Sequence, residues 1–273
     1  MKLISSANNK LIKEVKKLSK NSSYRKKTNR FIVEGLREVK LCFDSDYKID
    51  HLICSNKTLC DDFSNANKYF VQEEIMNMIT YRESSEILAI VTKKENSLEN
   101  YISNKNNFVL VLEKPEKPGN IGAILRSCDA LGFSDVFISD TKTELYNPNT
   151  IRASVGALFR LNIYEDKKDR IIKFLKKNNF KIFGSLIEST KNINKINFNS
   201  KCAVIMGTES DSISSEFIKE SNECFKIPMT GNVDSLNLSV STGIILYEVM
   251  NQRKSINFNR WWKLFLKKAL IEE

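Results

Sequence analysis

The sequence predicts an α/β chain in two parts, a small α/β unit followed by a larger one built on a buried, mostly parallel sheet. Three observations carry this reading. Continuous apolar runs such as FVLVLE (108–113) and KCAVIMG (201–207) alternate with amphipathic helical stretches, the pattern of strands covered on both faces. A polar, Asn-rich stretch, SLENYISNKNN (97–107), separates two such alternating series. A length of 273 residues holds one large domain or two ordinary ones, and the break at 97–107 favours two.

In the first series, NNKLIKEVKKLSK (8–20) places Leu11, Val15 and Leu18 on one helical face with lysines around them. NSSYRKKTNR (21–30) reads as a polar basic loop carrying Tyr24. FIVEG, IDHLICS, KYFVQ and ILAIVT read as strands, with LREVKLCF, KTLCDDFSN and EEIMNMIT as helices among them. In the second series the strands are FVLVLE, DVFIS, RLNIY, FKIFGSLI, KCAVIMG and CFKIPM. The helices are IGAILRSCDALG, NTIRASVGALF, RIIKFLKKN, EFIKES and the apolar stretch ending at Glu248, which Leu246, Tyr247 and Val249 are expected to bury. The expected divisions are residues 1–96, a linker at 97–107, a second domain at 108–253 and a basic amphipathic tail at 254–273. The tail carries both tryptophans, which usually pack, so docking or oligomer contact is favoured over RNA contact.

Composition narrows the function. Hydrophobic content of 41% with 28% charged residues describes a globular protein, and no apolar run is long enough to span a bilayer. The start, MKLISSANNKLIKEVKK, lacks the apolar stretch of a signal peptide, so a cytoplasmic protein is expected. Six scattered cysteines without a CxxC pair favour reduced thiols over disulfides or zinc. His51 is the single histidine, which excludes paired-histidine catalysis and a His-rich metal site; no metal is expected. The net charge of +10 is uneven: residues 1–40 hold 12 Lys/Arg against 3 Asp/Glu, residues 251–273 hold 6 against 2, and the middle is slightly acidic. Basic ends on a near-neutral body suit a polyanion, although a solvated lysine surface has the same composition.

Four stretches carry candidate chemistry. EKPEKPGNIGAILRSCDALGF (113–133) ends a strand with prolines and opens a helix at Gly119–Gly122, with Arg126 six residues after Asn120. It is either an anion-holding turn or a tight turn whose Arg126 pairs locally; it is neither a dinucleotide nor a P-loop signature. NPNTIRASVGALFRL (147–161) starts a helix after Asn147, with Arg152 near its beginning and small residues that permit close backbone approach. In VIMGTESDSIS (204–214) a strand ends at Gly207 with Glu209 beyond it, where open α/β sheets collect ligands. Glu209 serves there as a site residue or as a loop acid capping the next helix. In IPMTGNVDSLNLSVSTGIILYE (227–248), Pro228 stops strand pairing and leaves backbone groups near Ile227 and Met229 for a ligand edge. Helix capping accounts for one of Ser235 and Asn237, not for both.

These pieces, in this order, resemble the SpoU (TrmH) family of SPOUT RNA 2′-O-ribose methyltransferases. The family's N-x-G-x-x-x-R matches Asn120, Gly122 and Arg126; its G-x-E matches Gly207 and Glu209; its I-P-M motif matches Ile227 through Val240 nearly letter for letter. Residues 147–159 match the intervening N-P-x-x-x-R-A-S-x-G-A-L-F. Ser210 and Ser212 stand where many relatives have loop glycines. The resemblance implies a deep trefoil knot in the second domain and a homodimer that completes each site. It implies S-adenosylmethionine held by backbone near Gly207, Ile227 and Leu236, with Met229 and Leu238 beside them. Residues Arg25 to Gly35 make the first domain similar to the L30e-like substrate-binding domain of rRNA-modifying members.

The expected activity is S-adenosylmethionine-dependent methylation of a ribose 2′-hydroxyl in structured RNA, with 23S ribosomal RNA favoured. A tRNA methyltransferase is the alternative, then a non-catalytic RNA-binding protein of the same fold; a Rossmann-type nucleotide enzyme is disfavoured by the missing glycine signature. Arg126, Asn120, Glu209, Ser235 and Asn237 are the expected catalytic set. A free guanidinium does not readily lose a proton, so Arg126 is expected to clamp a phosphate and steady charge on the attacking oxygen. Lys10, Lys13, Lys17, Tyr24, Arg25, Lys26, Lys27, Arg30 and Arg152 are expected to contact RNA.

Overall fold

The structure, a computed structural model, describes residues 1–63, 66–82, 85–102, 107–208 and 212–253. The chain runs β1 (Lys2–Ile4), α1 (Lys10–Lys20), α2 (Ser22–Thr28), β2 (Arg30–Glu34), α3 (Leu36–Asp44), β3 (Ile49–Cys54), β4 (Asn67–Val71), α4 (Glu73–Ile79) and β5 (Ile87–Thr92). These strands form one sheet in the order β1-β4-β3-β5-β2, with β5 antiparallel to β2 and β3. The second series is β6 (Phe108–Glu113), α5 (Pro118–Ala130), β7 (Asp135–Ser139), α6 (Pro148–Ser154), β8 (Asn162–Asp166), α7 (Lys168–Lys177), β9 (Lys181–Ser185), β10 (Cys202–Met206), α8 (Ser215–Glu220), β11 (Glu223–Phe225) and α9 (Leu238–Gln252). Its sheet order is β11-β9-β10-β6-β7-β8, and every pair is parallel.

Both faces of the second sheet are covered, which is why its strands read as unbroken apolar runs. On one face Val109, Val111, Phe137, Ala203 and Ile205 meet Ile171, Leu175 and Phe217 from α7 and α8. On the other, Leu110, Leu112, Val136 and Val204 meet Ile121 and Leu125 of α5 and Ile245 and Val249 of α9. This second core continues without a break into Phe31, Val33, Leu52 and Val91 of the first sheet. Phe31 stacks on Tyr146 with centroids 4.4 Å apart, and the Tyr146 hydroxyl donates to the Lys94 carbonyl at 2.8 Å. The outer face of the first sheet is closed by Ile12, Val15 and Leu18 of α1 and by Ile75, Met76 and Ile79 of α4.

Several sequence expectations are corrected. Residues 22–28 form helix α2 rather than a loop; the Asn21 side chain accepts from the Tyr24 N–H and starts it. Of KTLCDDFSN, expected to be a helix, the described residues 57–63 form a short 3-10 turn at Lys57–Cys60. NTIRASVGALF is not one helix: α6 ends where Val155 (φ 52°) and Gly156 (φ 82°) turn left-handed, and a 3-10 turn follows. A β-branched residue in that region is strained by about 1–3 kcal/mol. Within the single chain α9 is buried by Leu238, Thr242, Ile245, Leu246, Val249 and Met250, while Tyr247 is 56% exposed. The tail at 254–273 lies outside the described residues.

Candidate functional site

The candidate residues gather beyond the carboxyl ends of β6, β10 and β11, central and edge strands of the parallel sheet. After β6 the chain turns through Lys114 (φ 47°) and enters α5 at Pro118, whose missing N–H suits a first helical position. Asn120 therefore sits in the first turn of α5, with exposed Arg126 further along the same helix. Gly122 explains how α5 is held. A Cβ there would stand 2.5 Å from the Thr150 carbonyl oxygen and 2.6 Å from the Ala153 Cβ, so only glycine lets α5 lie on α6. A Cβ at Gly156 would likewise stand 2.6 Å from Leu41 Cδ1 of the first unit.

Asn237, 117 positions later in the chain, reaches back to the same turn. Its Nδ2 donates to Asn120 Oδ1 at 3.3 Å, while its Oδ1 caps α9 by accepting from Ser239 N at 2.9 Å. The glycine-bearing start of α5 and the polar loop before α9 are thus joined through two amide side chains. Asn120 Nδ2 is buried and finds no acceptor among the described residues. A buried donor left unpaired costs about 1–3 kcal/mol, so its retention beside a loop cluster marks a ligand-facing position.

Next to this pair lies a cleft of about 320 Å3 between the ends of β9 and β11 and the loop before α9. Four of the residues named from the sequence, Ile227, Met229, Ser235 and Leu236, line it. Pro228 lines it with them, and so do Leu186, Ile187, Lys226 and Ser241, which sequence reasoning missed as site residues. On this edge sheet pairing runs only to the isolated Asn192–Lys226 bridge, which leaves the Ile227–Met229 backbone clear of the sheet ladder. The volume, the apolar walls and a few hydroxyls suit a nucleoside-sized ligand. Leu238 points elsewhere: its side chain is buried in the main core, so it does not line the cleft. Gly207 follows β10 without lining the cleft, and Glu209 lies outside the described residues.

The loop between β10 and α8 is tied down from below. Buried Glu113, the last residue of β6, accepts from the Ser214 N–H at 2.7 Å, and Lys168 approaches its other oxygen at 3.8 Å. Lys168 also donates to Glu216 at 2.6 Å and pulls that carboxyl down to about 2. Among the described residues no group of three or more His, Cys, Asp or Glu side chains could hold a metal, and no helix is long and apolar enough to cross a membrane.

The basic face divides into two kinds of residue. Lys10, Lys13, Lys26 and Lys27 are exposed or partly so, and Lys17 lies 5.6 Å from the Tyr24 ring centroid. Arg30 pairs with Glu14. Arg25 is a correction: it is 3% exposed, and its guanidinium is consumed inside the protein. Nε donates to Glu144 Oε2 at 2.9 Å and Nη1 donates to the Leu18 carbonyl at 2.7 Å. Lys93 donates to the other Glu144 oxygen at 2.9 Å, so the trio locks the first unit onto the second. Arg152 lies not on the basic helix face but over the ring of Tyr81, 4.0 Å from its centroid.

Comparison with known proteins places this geometry. Residues 107–247 match the model of the SpoU rRNA Methylase family, and residues 9–89 match the MRM3-like substrate binding domain. The chain is 25% identical over 252 residues to the 23S rRNA (guanosine(2553)-2'-O)-methyltransferase RlmP of Bacillus subtilis, covering 91% of this chain and 99% of that one. It is 32% identical over 181 residues to the 23S rRNA (guanosine-2'-O-)-methyltransferase RlmB of Blochmanniella floridana, covering 63% and 70%. Among solved structures, the AdoMet-bound rRNA methyltransferase from Sinorhizobium meliloti superposes with a TM-score of 0.86 at 25% identity, over 94% of this chain and 99% of that chain.

Proposed function

Since the chain belongs to the SpoU rRNA methylase family, we propose that it methylates a ribose 2′-hydroxyl of ribosomal RNA, with 23S rRNA as substrate, in the cytoplasm. The observation that carries this reading is the Asn120–Asn237 contact, which joins the two amide-bearing segments beside the cleft. The cleft residues fit S-adenosylmethionine: Ile227, Met229 and Leu236 would hold it, with Leu186, Ile187 and Ser241 closing the walls. When bound it supplies a methyl group already activated on a sulfonium. The protein's own tasks are then alignment, proton management and charge stabilisation.

Arg126 is the group suited to the charge. Exposed on α5, its guanidinium can fork onto the target phosphate and steady negative charge growing on the 2′-oxygen. Asn120 and Asn237 orient the ribose, Ser235 hydrogen-bonds at the cleft mouth, and Glu209 is assigned to positioning Arg126. Lys10, Lys13, Lys17, Lys26, Lys27 and Arg30 supply salt-sensitive affinity for the RNA backbone, with Tyr24 as a neighbouring aromatic. A 2′-hydroxyl requirement separates RNA from DNA at this site.

A homodimer and a trefoil knot belong to the same reading. Val240, Ile244 and Tyr247 are exposed on α9 at spacings of four and three, one stripe along the helix. An exposed apolar stripe on a helix whose opposite face is buried suits a second copy packed about a two-fold axis. The domain divisions 1–96 and 108–253, joined at 97–107, are kept as the working units of recognition and transfer.

Methyl transfer from radiolabelled S-adenosylmethionine tests the proposal. Wild type should label a 23S rRNA transcript, Arg126→Ala should fall by about 100-fold or more, comparable with loss of an oxyanion donor, and a 2′-deoxy target should stay unlabelled. Equal labelling by Arg126→Ala removes that residue from the mechanism, and labelling of the deoxy substrate removes 2′-O-methylation.

A further inference from the structure

A second cleft, about 610 Å3 in volume, opens between the two units. Lys16 and Lys20 of α1 stand on one side, Met78 and Tyr81 at its lip, and Asn149 and Arg152 of α6 opposite. Tyr81 is 74% exposed, although the Arg152 guanidinium already covers one face of its ring at 4.0 Å. The other face is therefore open to solvent. An aromatic ring this exposed gains little from folding, yet its surroundings hold it still. The Tyr81 and Arg82 N–H groups both donate to the Glu34 carboxylate, at 2.9 and 2.7 Å. Arg82 in turn donates to Glu38 at 3.2 Å. Both acids of the cleft are thus spent on fixing the segment, and the charge left over for a ligand comes from Lys16 and Lys20.

The pair is also fixed from the other side. Arg152 donates to Asn149 Oδ1 within α6, and α6 is pressed against α5 through Gly122, two residues from Asn120. Tyr81 is consequently held in register with the helix that carries Asn120 and Arg126. Resting on the RNA methylation proposed above, we infer that this cleft is a second nucleotide subsite: an unpaired base of the same RNA, outside the ribose being methylated, stacks on the open face of Tyr81. Arg152 backs the ring from behind, and Lys16 and Lys20 receive the flanking phosphates. Single-stranded RNA is recognised in this way wherever splayed bases meet aromatic faces. The stack itself reads the presence of an unpaired base, whichever base it is.

The experiment has two independent readouts. Ultraviolet crosslinking of the full chain to a protein-free 23S rRNA transcript, followed by digestion and mass spectrometry, should find a nucleotide adduct on the peptide containing Tyr81. In steady-state assays Tyr81→Leu should raise the KM for the transcript about tenfold, the usual size of one base–aromatic stack. Tyr81→Phe should keep the wild-type KM, and calorimetric affinity for S-adenosylmethionine should be the same in all three proteins. A wild-type KM in Tyr81→Leu, or an adduct confined to other peptides, overturns the subsite. Wild type that crosslinks through Tyr81 but transfers no methyl group to RNA would instead overturn the methylation reading and leave the subsite standing.

Discussion

Arg25→Ala separates a structural arginine from a phosphate-binding one. The wild-type guanidinium makes two contacts to Glu144 Oε2, at 2.9 and 2.8 Å, and donates to the Leu18 and Ser19 carbonyls at 2.7 and 3.3 Å. Side-chain exposure is 3% for Arg25 and 6% for Glu144. Truncation leaves two buried carbonyls and one carboxylate oxygen without their donor. Removing one partner of a buried ion pair costs about 3–5 kcal/mol. Lys93 remains on Glu144 at 2.9 Å, which puts the expected loss at the lower end, about 3 kcal/mol. For a chain of this length each kcal/mol moves the melting midpoint by about 2–4 °C, so a fall of about 6–12 °C is expected. Urea titration followed by circular dichroism gives the free energy, and calorimetry gives the midpoint. In parallel, RNA affinity is measured against salt. A phosphate-contacting arginine would lower the salt slope by about one and leave stability untouched. That outcome, with a stability loss under about 1 kcal/mol, would refute the clamp.

Three further outcomes follow from the same geometry. Gly122→Ala forces a methyl group into the Thr150 carbonyl, so a loss of about 1–3 kcal/mol is expected in a urea melt, together with impaired transfer as α5 shifts; unchanged values for both would show that the helix contact yields freely. Asn237→Ala removes both the α9 cap and the donor to Asn120, and should cost about 1 kcal/mol of stability while lowering kcat more than cofactor affinity. Burial pushes the Cys42 and Cys128 thiols well above their ordinary range and Cys202 up to about 11. Because only the thiolate reacts, iodoacetamide at pH 8 should leave these three unmodified in the native protein and alkylate them in urea, as counted by mass spectrometry.

Much of the architecture was legible because burial on two faces writes itself as uninterrupted apolar letters: β6 and β10 are visible as FVLVLE and KCAVIMG. The two amides that meet beside the cleft, Asn120 and Asn237, were legible as motif residues of the family likeness. What failed was anything decided by a distant partner. Arg25 sits in a basic run identical in kind to its neighbours; its fate depends on Glu144, 119 positions away. Helix α2 has no apolar period and starts from one Asn21 cap. The break after α6 falls at Val155, a residue type that rarely turns left-handed. Leu186 and Ile187 line the cleft only because β9 ends beside β11, and strand order is not written in any one segment. Tyr81 carries no motif at all; its meaning arises from Arg152 of the other unit.

The uninterrupted core from Phe31 to Tyr146 and Phe159 has a further consequence. With aromatic rings interleaved and Arg25, Glu144 and Lys93 bolted across the seam, the two units are joined by side-chain packing as well as by the chain between them. That packing sets the offset between the lysines of α1 and the Asn120 end of α5. In the proposed reaction the enzyme works as a caliper: RNA is selected by whether grip and target ribose fall at the span that this packing sets.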